Sequence, residues 1–212
     1  MSSTPLIICF GDSLTAGFQS PTGDNPTGRA TPYGQFLQSY VGHVAEVRTS
    51  GISGELTSEM VLRFRRDVLN HQPGYVPILG GTNDLGWNTP PSEIMHNLAT
   101  MYEQSLAMGS VPIPVTVPSI RVEGDPGGTA SQEWISEHLD RRSRLNKLIQ
   151  EYAGSQGLAC VDLFAATVDP TSGQLAELYS NDGIHLTTAG YRLFAEHVAH
   201  ILKPLLEQHT QS

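Results

Sequence analysis

The stretch "LIICFGDSLTAG", residues 6–17, decides the fold of this chain. Its first five residues are apolar and predict a short buried strand, which Gly-Asp-Ser then ends abruptly at Ser13. A serine on a tight turn between a strand and a helix presents its hydroxyl at the carboxyl edge of the sheet, with its backbone N–H close to a helix N-terminus. This placement suits a nucleophile, although the same serine could do no more than cap the helix.

Five apolar runs of this kind alternate with stretches of helical periodicity. The runs cover residues 6–10, 44–49, 75–79, 111–117 and 158–164. The predicted helices cover residues 33–41, 55–70, 91–108, 133–153 and 187–206. This alternation predicts βαβ units, and therefore an α/β fold with a parallel sheet and helices on both faces. Cys9 and Cys160 lie in the first and last runs, and we expect both to be buried free thiols.

The bulk composition limits the classes of function. The length predicts a single domain over residues 1–212. With 12 Lys and Arg against 21 Asp and Glu, the net charge is −9, which argues against nucleic-acid partners because phosphate binding relies on a basic surface. No apolar run approaches the roughly 18 residues of a membrane span. The N-terminus has no basic region before its apolar run, so we expect a cytoplasmic protein, although a trimmed secreted form would begin in the same way.

The second predicted strand ends in "SGISGEL", residues 50–56. Its glycines, Gly51 and Gly54, allow the backbone to approach another group closely and leave N–H groups uncovered. Ser53 is a rival nucleophile, but the G-x-S-x-G pattern of an α/β-hydrolase fails because Glu55 stands at its last position. The alternative interpretation is an ordinary glycine-rich turn between strand and helix.

The third predicted strand ends in "GGTNDLGW", residues 80–87. Asn83 carries an amide that can donate hydrogen bonds to a developing negative charge, as the side chains of oxyanion holes do. Asn-Asp after glycines is also common turn chemistry, and Asp84 in that case only fixes the loop.

A base is predicted in "SNDGIHLTTAGY", residues 180–191, just before the last helix. Asp182 and His185 are three residues apart, close enough for the carboxylate to bind one ring nitrogen and leave the other to accept a serine proton. A capping aspartate beside a surface histidine is the alternative. All of these stretches fall at the carboxyl edge of the predicted sheet, where open α/β sheets bind ligands.

Four of the stretches together resemble the sequence blocks of the SGNH, or GDSL, hydrolases. "FGDSLTAG" resembles the first block, "GISGE" the second, "GGTND" the third and "DGIHLTTAGY" the fifth, in order across nearly the whole chain. One departure is Thr49, because the second block often has Asn two residues before its first glycine. This departure puts a supporting hydrogen bond in question rather than the catalytic set.

The resemblance implies a flavodoxin-like three-layer α/β/α sandwich with a five-stranded parallel sheet in the order 2-1-3-4-5. It implies hydrolysis of an ester or thioester through an acyl-serine, with no metal and no cofactor. By position, Ser13 resembles the nucleophile, His185 the general base and Asp182 the acid of the triad. The N–H groups of Ser13 and Gly54 and the side chain of Asn83 resemble the oxyanion hole.

The expected substrate is a small carboxylic ester of short or medium acyl chain, because no continuous apolar lid is evident. Family resemblance leaves thioesterase, lysophospholipase and carbohydrate acetylesterase activities open as alternatives. Asp12, Trp87 and Ile120 are the candidate pocket residues. Three loops are expected to surround them, at residues 19–32, 86–91 and 118–132. The oligomeric state is left open.

Two interpretations from other classes compete with an ester hydrolase. A metallophosphoesterase could use a carboxylate, amide and imidazole set of ligands, here Asp12, Asn83, Asp84 and His185. A catalytically silent binding module on the same fold is the other possibility, since a fold alone does not determine function. An intact set of Ser13, Asp182 and His185 argues against the silent module.

Overall fold

The structure is a computed structural model that describes residues 4–122 and 132–211. Its strands are β1 (Leu6–Gly11), β2 (Phe18–Gln19), β3 (Arg29–Ala30), β4 (Glu46–Gly51), β5 (Tyr75–Leu79) and β6 (Val111–Pro114). Its helices are α1 (Ser13–Ala16), α2 (Tyr33–Val41), α3 (Thr57–Asp67), α4 (Thr82–Gly86), α5 (Pro91–Ala107), α6 (Gln132–Ser155), α7 (Leu163–Thr167) and α8 (Thr188–Gln211). The five predicted long helices are therefore confirmed, with shifts of a few residues at their ends.

The main sheet is parallel, in the order β4-β1-β5-β6. Gly11, the last residue of β1, is in register with Gly51 at the end of β4 and with Leu79 at the end of β5. The three strands thus end at the same level. Because parallel strands share their carboxyl edge, the turns that follow them are brought together at one edge of the sheet.

Helices pack on both faces of this sheet. Successive residues of a strand point to opposite faces, so Cys9 and Phe10 mark the two sides of β1. On the Cys9 side, α2 approaches so closely that a Cβ on Gly34 would lie 3.6 Å from the Cys9 sulfur. On the other side, the ring of Phe64 in α3 packs edge-on against Phe10, with centroids 5.0 Å apart. The result is a helix–sheet–helix arrangement with the core on both faces.

The predicted fifth strand is wrong for the described residues. Of the run 158–164, one residue pairs with the end of β6, through Thr116 N to Val161 O at 3.0 Å and Val161 N to Pro114 O at 2.9 Å. Alternate residues of a parallel strand face the same neighbour. The preceding N–H positions of β6 that face this segment belong to Pro112 and Pro114, which have no N–H, so a longer ladder would lack the bonds that β6 should donate. The main sheet accordingly has four strands where five were expected.

The last helix buries one apolar face. Tyr191, Phe194, Val198 and Leu202 are fully buried at three- and four-residue spacing. The Tyr33 ring of α2 stacks on Phe194 with centroids 3.8 Å apart, which joins the two helices of this layer. Across residues 4–122 and 132–211, no helix has both the length and the apolar character needed to span a membrane.

The cysteines and the rim loops differ in part from expectation. Cys9 is buried as predicted, whereas Cys160 is only partly buried, and both are free thiols. Burial raises the pKa of each thiol to about 12, so neither is activated as a nucleophile.

The predicted loop 19–32 contains the short antiparallel pair β2–β3. Most of the predicted loop 118–132 lies outside the described residues.

Candidate active site

The turn after β1 places Ser13 at the carboxyl edge. Asp12 caps α1, and its Oδ1 accepts the N–H of Leu14 at 2.9 Å. Gly11 is required because a Cβ there would lie 2.2 Å from the carbonyl oxygen of Leu79. Ser13 is then the first residue of α1, buried except for a small opening. The last position of β1 therefore has no space for a side chain, because it lies against the end of β5 and against Thr15.

The loop before α8 brings an imidazole to this serine. His185 Nε2 lies 3.1 Å from Ser13 Oγ, across 172 residues of sequence. His185 Nδ1 lies 2.7 Å from Asp182 Oδ2. The same carboxylate accepts the backbone N–H groups of Ile184 and His185 at its other oxygen, at 2.9 and 2.7 Å. The three side chains expected from the sequence are therefore in hydrogen-bonding contact in one line.

Hydrogen bonds keep Asp182 ionised. Partial burial would by itself raise the pKa of this carboxyl. The opposing hydrogen bonds from His185, from Ser20 and from the backbone N–H of Ile184 together hold the pKa well below its usual range. An anion fixed against Nδ1 selects the imidazole tautomer whose Nε2 is free to accept a proton.

The predicted oxyanion donors lie on two neighbouring loops. Gly54 has φ of +82°, a left-handed conformation that favours glycine, and it lies exposed at the end of the β4 turn. The Asn83 side chain on α4 donates to the carbonyl oxygen of Glu55 at 2.9 Å. This bond ties α4 to the loop that carries Gly54. An amide has two N–H groups, so Asn83 can donate one to the loop and one toward a substrate.

A buried ion pair that the sequence did not predict braces this loop. Arg63 of α3 binds Glu55 through two nitrogens, at 2.6 and 2.5 Å, and both side chains are less than a tenth exposed. The same guanidinium donates to the carbonyl of Gly11 at 3.0 Å and to Ser50 Oγ at 2.8 Å. It also lies 4.1 Å above the ring of Phe10. Arg63 thus connects the ends of β1 and β4 to the loop that follows β4.

Asp84 binds the N-terminal residue of α3, which is a structural role like that in the simpler of its two interpretations. Its carboxylate accepts the backbone N–H of Thr57 at 3.1 Å and the Thr57 hydroxyl at 2.6 Å. Burial raises the pKa of this carboxyl, and the hydrogen bonds from Thr57 oppose the rise. Among the residues that the structure describes, no three His, Cys, Asp or Glu side chains form a group that could hold a metal ion.

The three candidate pocket residues occupy different environments. Asp12 is fully buried behind the nucleophile, where burial raises its pKa to about 7 against the hydrogen bond from Leu14. Trp87 is 79% exposed, one helical turn after Asn83. Ile120 is 6% exposed, and its side chain would have to be uncovered before it could contact a substrate. Trp87 alone of the three lies on the open rim.

Several large apolar side chains are exposed on or next to the segments that carry the site residues. They are Phe18, Ile52, Trp87, Leu178 and Ile184. Of these, Phe18 contacts the site directly, since its ring packs against the His185 ring. Exposed apolar side chains close in sequence to a nearly buried nucleophile suit an uncharged organic substrate.

A sequence model of the GDSL-like lipase/acylhydrolase family matches residues 9–193. The chain belongs to this family. The match runs from β1 into α8 and so includes every element that carries a candidate residue of the site. A curated relative of this chain, the uncharacterized lipoprotein YqeF of Bacillus subtilis, is 25% identical over 90% of this chain and 86% of its own.

Solved structures of similar fold extend the comparison. The lipase/acylhydrolase from Enterococcus faecalis superposes with a TM-score of 0.73 at 25% identity, covering 94% of this chain and 96% of the other. Est24, described as a carbohydrate acetylesterase from Sinorhizobium meliloti, superposes with a TM-score of 0.75 at 20% identity, over 95% and 99% of the two chains. The α/β fold with its parallel sheet is therefore that of the GDSL acylhydrolases.

Proposed function

We propose that the protein is a serine ester hydrolase that works through an acyl-serine intermediate. The observation that carries the proposal is the line from Ser13 Oγ through the His185 ring to Asp182, with contacts of 3.1 and 2.7 Å. Both distances are within the range in which protons pass between heavy atoms. We further propose that residues 1–212 form a single domain and that the enzyme needs no metal or other cofactor.

Acylation begins with attack of the Ser13 oxygen on the carbonyl carbon of the ester. Neutral His185 accepts the hydroxyl proton at Nε2 as the oxygen–carbon bond forms. The resulting imidazolium is stabilised by the Asp182 carboxylate at Nδ1. It then gives the same proton to the leaving alcohol as the bond between the carbonyl carbon and the alcohol oxygen breaks.

The tetrahedral intermediate carries its negative charge on the former carbonyl oxygen. We propose that the N–H groups of Ser13 and Gly54 and the Asn83 amide donate to it. Donors that are already fixed stabilise this charge without reorganising during the reaction. The hydrogen bond of Asn83 to Glu55 supports the proposal because it holds the amide in place before substrate arrives.

Deacylation repeats these steps with water in place of the alcohol. His185 accepts a proton from the water as the water oxygen attacks the acyl carbon, and returns that proton to Ser13 Oγ as the acyl–serine bond breaks. The products are a carboxylic acid and the regenerated serine, and the two half-reactions conserve protons overall.

The rim favours small acyl groups. We propose esters of short or medium acyl chain, because large apolar side chains such as Phe18, Ile52 and Trp87 are exposed to solvent rather than buried along a channel. An acetylated carbohydrate is the second candidate. The exposed indole of Trp87 beside Asn83 offers a flat apolar face for a sugar ring, and Est24, which shares the fold, is described as a carbohydrate acetylesterase. The cytoplasmic location stays a prediction, since the relative YqeF is named a lipoprotein.

A substrate panel tests the proposal. p-Nitrophenyl esters from acetate to palmitate, acetylated sugars and acyl-CoA thioesters are compared, with and without a chelator, for the wild-type protein and Ser13→Ala. We expect hydrolysis that is fastest for the short esters, insensitive to chelator and reduced to background in Ser13→Ala. A fluorophosphonate probe should label the wild-type protein and leave Ser13→Ala unlabelled. Turnover that requires a divalent metal would contradict the proposal, as would the absence of both turnover and labelling.

A further inference from the structure

The short strand β2 and the residue that follows it contact both the imidazole and the carboxylate of the proposed triad. The Phe18 ring packs edge-on against the His185 ring, with centroids 4.6 Å apart and planes at 67°. Two residues later, the Ser20 hydroxyl donates a hydrogen bond to Asp182 Oδ2 across 162 residues of sequence. This oxygen is the one that also binds His185 Nδ1. The two contacts come from residues i and i+2, which point to the same side of an extended chain.

The residue between them points the other way and anchors the segment. Gln19 is buried, and its Nε2 donates to the hydroxyl of Thr188 on α8 at 2.9 Å and to the hydroxyl of Thr31. The hydroxyl of Tyr191, also on α8, donates to the carbonyl of Phe18 at 2.6 Å. Residues 18–20 are thus attached to the helix that follows the histidine loop. We call them the β2 clamp.

We propose that the β2 clamp positions the His185–Asp182 pair and that Ser20 is its principal positioning residue. The inference rests on the proposed function, because it assigns a role within the same site. Ser20 does not touch a substrate. It acts through Asp182, by fixing the oxygen against which the imidazole is oriented.

Asp182 Oδ2 accepts hydrogen bonds from both the Ser20 hydroxyl and the imidazole, so the loss of the hydroxyl should affect the position of the imidazole. The other carboxylate oxygen, Oδ1, is held by the backbone N–H groups of Ile184 and His185. On Oδ2 the donors are the Ser20 hydroxyl and the imidazole itself. Removing the hydroxyl leaves the imidazole as the remaining partner of this oxygen among the contacts described. The carboxylate can then turn, and the full charge of Oδ2 becomes available to the imidazolium.

These two consequences have different signatures. A mobile Asp182 orients the imidazole less well, which lowers kcat and leaves KM nearly unchanged, since Ser20 does not contact substrate. More charge on Oδ2 stabilises the imidazolium that forms during the reaction, so the acid limb of the pH–rate profile moves to higher pH.

The other charged and titratable groups around the pair are the same in every variant. Asp12, from the β1–α1 turn, interacts electrostatically with His185. Tyr191, from α8, interacts with Asp182. Arg121, from the segment after β6, donates to the carbonyl of Ser180 at 2.9 Å, two residues before Asp182. A shift seen only when residue 20 changes is therefore assigned to its hydroxyl.

The test compares Ser20→Ala with Ser20→Thr, which keeps the hydroxyl. Ser39→Ala is the matched control, because the Ser39 hydroxyl is exposed and donates only to the Phe36 carbonyl on α2. For Ser20→Ala we expect kcat to fall on the order of 10-fold with KM within about twofold of wild type. We expect the acid limb of the pH–rate profile to move to higher pH. Ser20→Thr should recover most of the lost kcat, and Ser39→Ala should match wild type.

A second measurement separates this inference from the proposed function. The His185 ring is titrated by NMR in wild type and Ser20→Ala, with His185→Ala identifying its signal. This titration needs no turnover, so it decides the role of Ser20 even if every ester on the panel is inert, which is the result that overturns the proposed function. Coincident titrations in the two proteins would overturn the inference. An equal loss of kcat in Ser20→Ala and Ser20→Thr would overturn it too, since the hydroxyl would not be the cause.

Discussion

The two halves of the candidate site are held in place by different means. The half that carries the proposed oxyanion donors is braced from below by buried charges, since Arg63 and Glu55 are only 6% and 7% exposed. The half that carries the base is partly exposed, since the His185 and Asp182 side chains are 21% and 26% exposed, and it is held by hydrogen bonds from the loop backbone and from Ser20 rather than by a buried ion pair. The donor half is supported by side chains of the core, and the base half is bound to the core from the surface.

The difference matches what each half must do. Oxyanion donors stabilise charge best when they do not move, and buried multidentate contacts hold a loop in one position. The base must accept and release a proton twice in each cycle, and water must reach it for deacylation. Partial exposure permits this exchange. Substitutions in the two halves should therefore have different effects. On the base side they should lower the reaction rate, and on the donor side they should lower both the reaction rate and the free energy of unfolding.

Removing the base should give the largest effect. For His185→Ala we expect kcat/KM on short esters to fall roughly 10,000-fold, because no other group can accept the Ser13 proton. The unfolding midpoint in urea should change little, since the ring is at the surface. His200→Ala, an exposed histidine on α8, is the control and should retain full activity. A fall in kcat/KM of less than tenfold in His185→Ala would show that His185 is not the general base.

Breaking the buried ion pair of Arg63 and Glu55 should give the next largest effect, and this effect is on the free energy of unfolding. Arg63→Met leaves the Glu55 carboxylate buried and unpaired, so we expect the free energy of unfolding to fall by about 3–5 kcal/mol. Arg66→Met, three residues along α3 with a side chain 73% exposed, is the matched control and should stay close to wild type in urea unfolding. The double variant Glu55→Gln with Arg63→Met should regain part of the loss. Equal stability of Arg63→Met and Arg66→Met would show that the brace is not needed.

Removing the proposed Asn83 donor should lower the reaction rate and leave the protein folded. Asn83→Ala should lower kcat on the order of 100- to 1000-fold, and Asn83→Asp, similar in size but unable to donate, should be at least as slow. Asn70→Ala, at an exposed position, serves as the control. Initial rates with p-nitrophenyl acetate measure the effect. Near-wild-type activity in Asn83→Asp would exclude the amide from the oxyanion hole.

The smallest effect concerns pH and the carboxyl behind the nucleophile. Burial raises the pKa of Asp12 to about 7 from an ordinary value of 3.8, so between these values the folded protein binds more protons than the unfolded chain. The stability that this group contributes is therefore complete below the lower value and is lost as pH rises through the higher one. Asp12→Asn cannot ionise and keeps a capping oxygen for Leu14.

Urea unfolding of Asp12→Asn and wild type at pH 5 and pH 8 measures this difference. The variant should gain stability relative to wild type on going from pH 5 to pH 8. A gap that is the same at both pH values would show that Asp12 does not titrate in this range. Because both proteins are compared at each pH, effects that they share cancel.

Local patterns predicted much of the fold and gave the residues of the candidate site. Helix α2 has the predicted bounds of residues 33–41, and β5 those of residues 75–79, because amphipathic periodicity and apolar runs are properties of neighbouring residues. The candidates Ser13, Asp182 and His185 were also identified from short stretches of sequence, since each stands at a predicted strand end or in a predicted turn.

What failed depended on partners far along the chain. The fifth strand was expected from its apolar run, but the prolines of β6 face it and withhold the N–H groups it needs, which depends on the register of β6 in the sheet. Arg63 sits in a helix with two other arginines, and nothing in the sequence says which of them is buried against Glu55. Ser20 lies in a loop that reads as solvent-exposed, 162 residues from Asp182.

The sequence by itself determined which residues could do chemistry and that strands and helices alternate, because those properties are carried by residue types and their spacing. Only the tertiary structure decided which of these residues meet and what braces them, such as Ser13 with His185 across 172 positions. The physical reason is that hydrogen bonds and buried charges act over a few ångströms in space. Sheet register and helix packing, which involve the whole chain, place the groups within that distance.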